Sequence, residues 1–398
     1  MKQMIVHCQP DVTQMALMEN GKLVEFATER SQGGGLVGSF FKARVVNVLP
    51  GMQAAFVDIG QKKNAFLYID DVLPPHLEKQ PKVKPSITQL LHVGQDIIVQ
   101  IAKEPLGTKG ARVTTHYSLP GRWIVYMPYA DYVAVSKKIE RESERYRLKQ
   151  LGEELRHDGE GLIFRTLTED VHSHLIAADL DLLRKQWFNI LQLAESSISP
   201  ARLHQDLSML QRLIRDAYTP YTDELILDNK VQAEEAAAFL QAMIPEANPK
   251  IAVYQQDEPI FITYGVQAAL EKDLQRKVWL PSGGYIVWDQ TEALTVIDVN
   301  TGKFTGGDNL EETVFQTNLQ AAAEIARLIR LRDVGGIIIV DFIDMELEKH
   351  RNEIVELLEQ MMKKDRTKSH VVGWTKLGLL EMTRKKVREE TGSFLSQR

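Results

Sequence analysis

Two segments decide how this chain is read: Ala293-Leu-Thr-Val-Ile-Asp298-Val-Asn300 and Gly335-Gly-Ile-Ile-Ile-Val-Asp341-Phe-Ile-Asp344. Each is a short apolar run, rich in β-branched residues, that ends in carboxylates. Near-continuous runs of this kind are expected of parallel strands buried on both faces. Between them Val314, Phe315, Leu319, Ala322, Ala326 and Ile329 recur at helical spacing. Asp308, with Glu311 three residues later, gives that helix a capping-box-like start. The unit is therefore strand, helix, strand. If the two strands are neighbours they run parallel and end at one sheet edge, where open α/β sheets usually keep their sites. Asp298 and Asp341 are then expected to converge.

Two carboxylates at one edge suit a hard divalent cation, and magnesium takes one or two carboxylates while keeping several waters. Bound magnesium can orient and polarise a phosphodiester and activate the attacking water. Asn300, two residues after Asp298, shares its strand face and is a candidate to hold the phosphate or a metal-bound water. Asp344 is three residues beyond Asp341, a step that need not bring it to the same face. A plainer alternative is that strand-end aspartates cap loops or pair with nearby Arg and Lys. Spacing alone leaves both open.

Upstream, residues 36–118 read as about five short strands broken by Gly and Pro: Phe40 to Val48, Ala54 to Ile59, Ala65 to Ile69, Asp96 to Ile101 and a further segment. Five strands in about eighty residues suggest an OB-type barrel, a fold that commonly binds oligonucleotides. Phe56 and Phe66 fall near strand centres. There they either fill the core or stack bases from an exposed face. Lys109, in Gly107-Thr-Lys109-Gly110, is a candidate phosphate contact. The Pro-rich piece Leu73 to Pro85 is expected to be an insertion between strands. The first 30 residues look like two strands, too few to stand alone, which predicts pairing with a later segment and a discontinuous domain. Residues 119–198 are mixed, with strand-like Trp123 to Met127 and Gly161 to Arg165 beside a charged helix. Helical periodicity covers Pro200 to Ala217 and Lys230 to Met243.

The 398 residues and 44% hydrophobic content indicate a globular chain of two to four domains, and a net charge of -6 excludes gross disorder. No apolar run has the length of a signal peptide or membrane span, so a soluble, cytoplasmic protein is expected. Cys8 is the only cysteine, which rules out an internal disulfide. Basic residues exceed acidic ones by seven between Met361 and Arg388, a candidate contact for nucleic acid. The charged stretch Lys137 to Lys149 reads instead as a solvated helix face. Gly33-Gly-Gly35-Leu-Val-Gly38 matches a dinucleotide fingerprint but precedes a strand, whereas that motif opens a helix. His172 and His174 lack the partners of a metal or acid–base site, and a structural role is expected for them.

Taken in order, Phe41-Lys-Ala-Arg through Phe56-Val-Asp-Ile-Gly60, Ile297-Asp298-Val-Asn300, Glu311-Glu-Thr, Leu331-Arg-Asp-Val-Gly-Gly336, Asp341-Phe-Ile-Asp-Met345 and Gly378-Leu-Leu-Glu-Met-Thr-Arg384 closely resemble the catalytic region of the ribonuclease E/G family. The resemblance implies an α+β and α/β multidomain protein. It places an RNase H-like subdomain at 1–35 and 211–275, an S1 barrel at 36–118, a 5'-monophosphate sensor at 119–210 and a DNase I-like catalytic subdomain at 276–398. It implies a magnesium-dependent endoribonuclease of RNA processing and decay, cutting single-stranded, AU-rich RNA to leave a 5'-phosphate and a 3'-hydroxyl.

By the same resemblance Asp298 and Asp341 bind magnesium and Asn300 joins them in the active site. Phe56, Phe66 and Lys109 contact RNA on the barrel. Arg165 and Thr166 hold the 5'-phosphate, with Gly121 and Val125 in the same pocket. Arg165 also precedes Glu169 and Asp170, so a surface ion pair is its plainer role. The family's Cys-Pro-x-Cys zinc link is absent from this sequence. A homo-oligomer remains possible, but one joined by that link is not expected. Two competing readings remain, a non-enzymatic RNA-binding module and a DNA nuclease using the same metal edge.

Overall fold

The computed structural model describes residues 2–30, 35–74, 84–105, 109–219, 223–291, 293–303 and 310–386. They divide between two compact units, one formed by Met1–Glu29, Thr219–Glu234 and Asn248–Arg398, the other by Arg30–Tyr218 and Glu235–Ala247.

The first unit holds two sheets. The smaller runs, in spatial order, Lys250–Val253, Asp223–Leu227, Lys2–Cys8, Val12–Glu19 and Lys22–Arg30. The opening strand pairs in parallel with a segment far along the chain, Lys2 opposite Asp223. The first 30 residues contain three strands, one more than the sequence suggested. The cause is Asn20-Gly21, both at positive φ, the conformation of a two-residue hairpin turn that divides the second apolar stretch.

The larger sheet has the order Lys277–Trp279, Tyr285–Gln290, Leu294–Asn300, Gly336–Asp341, Leu380–Arg384, Ser369–Trp374. Its central pair, Leu294–Asn300 and Gly336–Asp341, is the expected βαβ unit, parallel and joined through the helix Leu310–Leu331. Among the described residues only one face is fully covered, which corrects the expectation of burial on both. Thr295, Ile297, Val299, Ile338 and Val340 are buried, whereas Ile337 is 50% exposed and Asp298 and Asp341 are open to solvent. An apolar run does not distinguish one covered face from two.

The helix Leu310–Leu331 is buried around most of its circumference, as befits a helix within a core. Its apolar positions join residues of both sheets, from Ile5 and Leu23 to Ile297 and Val340, in one cluster. Its two buried arginines are both ion-paired in that setting. Arg327 donates to the carbonyl of Leu23 (2.6 Å) and pairs with Asp273 (2.8 Å), while Arg330 pairs with Glu19 (3.0 Å) and Glu25 (2.9 Å). Arg366 also pairs with Glu25, and Arg384 is buried against Asp365 and Asp333, so the basic stretch after Met361 is partly consumed in ion pairs.

In the second unit Phe40–Leu49, Ala54–Asp58, Ala65–Tyr68, Arg112–Thr114 and Asp96–Lys103 pair in that order, and the first pairs again with the last. This is the closed five-stranded, OB-like barrel that the alternation implied. Ala43, Val45, Ala55, Val57, Ala65, Leu67 and Val113 fill it. A four-stranded sheet, Val133–Val135, Gly161–Phe164, Ile124–Met127 and Leu119–Pro120, packs with helices Glu142–Leu155 and Ser173–Ser196.

The 24-residue helix Ser173–Ser196 was not singled out in the sequence, although Ile176, Leu180, Leu183, Trp187, Ile190 and Ala194 mark its buried stripe. The helix expected over Pro200 to Ala217 is shorter. Ala201–His204 is a strand laid on the barrel, and the helix begins at Met209, after a Ser208 and Gln211 capping box. Lys230–Met243 is helical as expected. His172 and His174 are exposed and stacked on one another. Asp308, Gly33, Gly34 and the middle of the Pro-rich insertion lie outside the described residues. Among the described residues no helix is long and apolar enough to cross a membrane.

Candidate active site

Parallel pairing places Asp298 directly opposite Asp341, and the alternation of both strands turns the two carboxylates to the open face. Asn300 is two residues along the same face. Its Nδ2 donates to Asp298 Oδ2 (2.7 Å), which fixes the rotation of that carboxylate. Burial raises the pKa of Asp341, and the neighbouring charges of Asp298 and Asp344 add to the shift. Like charges held this close are stabilised by a cation, so the donor set fits a hard, oxygen-seeking ion. Among the described residues no group of three or more His, Cys, Asp or Glu is arranged to hold a metal. The fit is therefore to an ion that takes two carboxylates and completes its shell with water.

The segment after Asp341 is held from behind. Asn318, completely buried on the central helix, donates to the carbonyl of Ile343 (2.8 Å) and accepts from its N–H (3.1 Å). Glu311 accepts from the N–H groups of Glu346 (3.0 Å) and Leu347 (3.2 Å), and His350 meets the same carboxylate at 2.7 Å while stacking on Phe315. Glu311 thus braces the loop that carries Asp344. Asn318 was missed in the sequence because its partner is a backbone group 25 residues away.

On the barrel, Phe56 and Phe66 are cross-strand partners in edge-to-face contact, 5.7 Å between ring centres. Both are partly exposed and lie outside the barrel core, so neither fills it. Lys109 is exposed, one residue before Gly110, which packs closely on the barrel. Gly110 explains its position, since a Cβ there would fall 2.0 Å from the Asn64 carbonyl at the start of the strand carrying Phe66.

The four candidate 5'-phosphate positions also come together, around the strand Gly161–Phe164. Arg165 donates to the carbonyl of Gly121 (2.6 Å), and Val125 lies on the neighbouring strand opposite Ile163. Gly121 has no room for a side chain, because a Cβ would meet the Asp179 carboxylate at 2.4 Å. That carboxylate accepts from the N–H of Trp123 (2.8 Å), and burial raises its pKa. Thr166 is exposed, its hydroxyl 2.9 Å from that of Ser136. Arg165 does form an ion pair, but with Asp216 (2.8 Å). Glu169 and Asp170 are taken by Arg141.

Residues 118–387 match the model of the Ribonuclease E/G family. The chain belongs to this family. It is 44% identical over 394 residues to Ribonuclease G of Haemophilus influenzae, spanning 97% of this chain and 80% of that relative, and equally similar to Ribonuclease G of Escherichia coli K12. Ribonuclease E of a Nostoc species is 40% identical over 354 residues, 88% of this chain and 51% of its own length. The barrel, which precedes the family-model match, falls within the 394-residue similarity.

Proposed function

We propose that this protein is a magnesium-dependent endoribonuclease that hydrolyses single-stranded RNA at Asp298 and Asp341, leaving a 5'-phosphate and a 3'-hydroxyl. The observation that carries the proposal is the direct opposition of these two carboxylates on an open sheet face, with Asn300 bonded to one of them. Magnesium bound there would polarise the phosphodiester and lower the pKa of an attacking water. The residues' own part is to hold and orient. Asp298 and Asp341 supply the negative charge, Asn300 keeps Asp298 turned outward, and Asn318 keeps the Asp341 strand end in place.

The barrel pair Phe56 and Phe66, with Lys109, suits stacked bases and a phosphate of an unpaired strand. Arg165 and Thr166 suit a terminal monophosphate, since a guanidinium offers paired donors to two phosphate oxygens and the hydroxyl serves a third. An enzyme stimulated by a 5'-monophosphate, acting in RNA processing and decay, is the activity these features support. A module that only binds RNA is the weaker alternative. Its basic C-terminal stretch is partly occupied internally, and binding alone gives no reason for two opposed, exposed aspartates.

Labelled single-stranded RNA and DNA incubated with the protein, with magnesium or with EDTA, test the proposal. RNA cleavage that requires magnesium is expected. Binding without cleavage would leave the RNA-binding module, and equal cleavage of DNA would make the protein a general nuclease.

A further inference from the structure

The cross-strand row that holds the two aspartates continues outward. Asp298 faces Val287 on the next strand, and Val287 faces Lys277 on the edge strand. The adjacent row runs from Asn300 through Tyr285 to Trp279. All these side chains belong to the open face, since the alternating residues Val278, Ile286 and Trp288 are buried beneath.

Trp279 is 48% exposed, an unusual setting for the largest apolar side chain. It meets Tyr285 edge-on at 5.3 Å. The ammonium of Lys277 lies 4.4 Å from the Trp279 ring centre and 3.6 Å from that of Tyr285. Among the described residues no carboxylate pairs with Lys277. Tyr285 is fixed from its other side, because a Cβ on Gly302 would come within 3.1 Å of its ring. The result is a half-exposed indole beside a held tyrosine, with the Lys277 ammonium over both rings and paired to no carboxylate among the described residues.

We infer that Trp279 and Lys277 form a subsite for the nucleotide next to the scissile phosphate, its base stacked on the indole and its phosphate met by the ammonium. Aromatic faces and cations side by side are how proteins hold unpaired strands without reading sequence. The spacing agrees. Trp279 is two strand spacings from Asn300, about 10 Å, within reach of the nucleotide adjoining one whose phosphate is at the aspartates. Charge agrees too, since a polyanion approaching Asp298 and Asp341 needs a nearby cation, and Lys277 is in their row. The alternative is an aromatic cross-strand pair that only stabilises the edge hairpin.

This subsite rests on the aspartate pair being the place of cleavage, and the test separates the two. Trp279→Ala, Trp279→Phe, Lys277→Gln and Asp298→Asn variants are compared on a single-stranded RNA with one defined cut site. The same RNA is also made with an abasic nucleotide at each flanking position. Affinity is measured in EDTA, where nothing is cut, and KM and kcat in magnesium. Trp279→Ala is expected to weaken binding and raise KM about tenfold with kcat within about twofold, and Trp279→Phe to restore most of the loss. An abasic nucleotide at one position beside the cut should cost the wild type the same factor and cost Trp279→Ala nothing further. Lys277→Gln should weaken binding several-fold and flatten its salt dependence. Unchanged binding by Trp279→Ala, or penalties that simply multiply at every position, would overturn the subsite even if Asp298→Asn abolishes cleavage. Cleavage by Asp298→Asn at the wild-type rate would overturn the aspartate site, and the EDTA binding arm would then judge the stacking on its own.

Discussion

Replacing Asn318 by alanine should damage stability and catalysis together, because one amide joins the core to the strand end that bears Asp341. The side chain makes two hydrogen bonds to one residue, donating to the Ile343 carbonyl and accepting from its N–H, in a position with no solvent exposure. A backbone group left without a partner costs about 1–3 kcal/mol. Ile343 is partly exposed and water can recover part of that loss, so a destabilisation of about 2–4 kcal/mol is expected, measured by urea unfolding with EDTA present. Catalysis should fall by about a hundredfold, the scale associated with a misplacement of about 1 Å at a reacting centre. The magnesium concentration for half-maximal RNA cleavage should rise as well. Asn318→Asp retains the acceptor but turns a carboxylate toward a carbonyl. Burial raises the pKa of such a group in the folded state, so this variant should be least stable at neutral pH and recover as pH falls and its carboxyl becomes a donor. An Asn318→Ala protein that unfolds more easily yet keeps its kcat and magnesium requirement would refute the claim that this clamp positions the site.

Asp298→Asn or Asp341→Asn should abolish cleavage while leaving RNA affinity in EDTA largely intact, and wild-type activity in either would sink the site assignment. Because burial and the charges of Asp298 and Asp344 raise the Asp341 pKa, its charged form opposes folding at neutral pH. Asp341→Asn in EDTA should therefore melt higher than wild type at pH 7, with the gain vanishing as pH falls below the range in which Asp341 ionises; a lower melting temperature would contradict this. Arg165→Ala and Thr166→Val should raise KM for 5'-monophosphorylated RNA and leave 5'-hydroxyl RNA nearly unchanged, whereas equal slowing of both substrates would mean the pair does not sense the RNA end. Burial favours the neutral form of Glu25, but Arg366 and Arg330 outweigh it and hold its pKa down to about 2. Its contribution is complete above the ordinary glutamate value and lost as pH falls through the folded value, so Glu25→Gln should be destabilised at pH 7 by about 3–5 kcal/mol, with the gap to wild type closing between about pH 4.5 and 2 in urea titrations.

What the sequence made legible follows the range of the interactions involved. The βαβ unit, the opposition of Asp298 and Asp341 and the barrel strands rest on periodicity and local turns, which a chain displays residue by residue. The open face was not legible, because Val296, Ile337 and Ile339 keep the strands apolar on the side that the described residues leave at least partly exposed. The plainer alternative for Arg165 was an ion pair near its sequence neighbours Glu169 and Asp170, yet Arg141 takes those and Arg165 reaches Asp216. The stretch Lys137 to Lys149 is largely solvated as read, with Lys137, Lys138, Glu140, Arg141, Glu142 and Lys149 exposed, but its Glu144 is buried against Arg147 and Arg145 donates to the carbonyls of Ser136 and Ile139. Trp279 drew no notice at all. It stands in a three-residue strand whose face is defined only by the register of two neighbouring strands.

The parallel pairing of Lys2–Cys8 with Asp223–Leu227 bears on how the chain is made. The two partners are 221 residues apart, so a ribosome adding about 5–20 residues per second delivers the second some 10–40 s after the first. During that interval the N-terminal hairpins have neither their parallel neighbour nor the helix Leu310–Leu331 that shares their core. An unpaired strand edge with apolar residues such as Met4, Ile5 and Val6 is a template for unwanted pairing between nascent chains. Residues 40–114 form a closed barrel from their own strands and can satisfy their backbone early, whereas the unit that carries Asp298 and Asp341 must wait for its last strands. Fragments ending before Asp223 should therefore be soluble only when the first 30 residues are also removed, and slower translation upstream of Asp223 should lower the yield of the full chain.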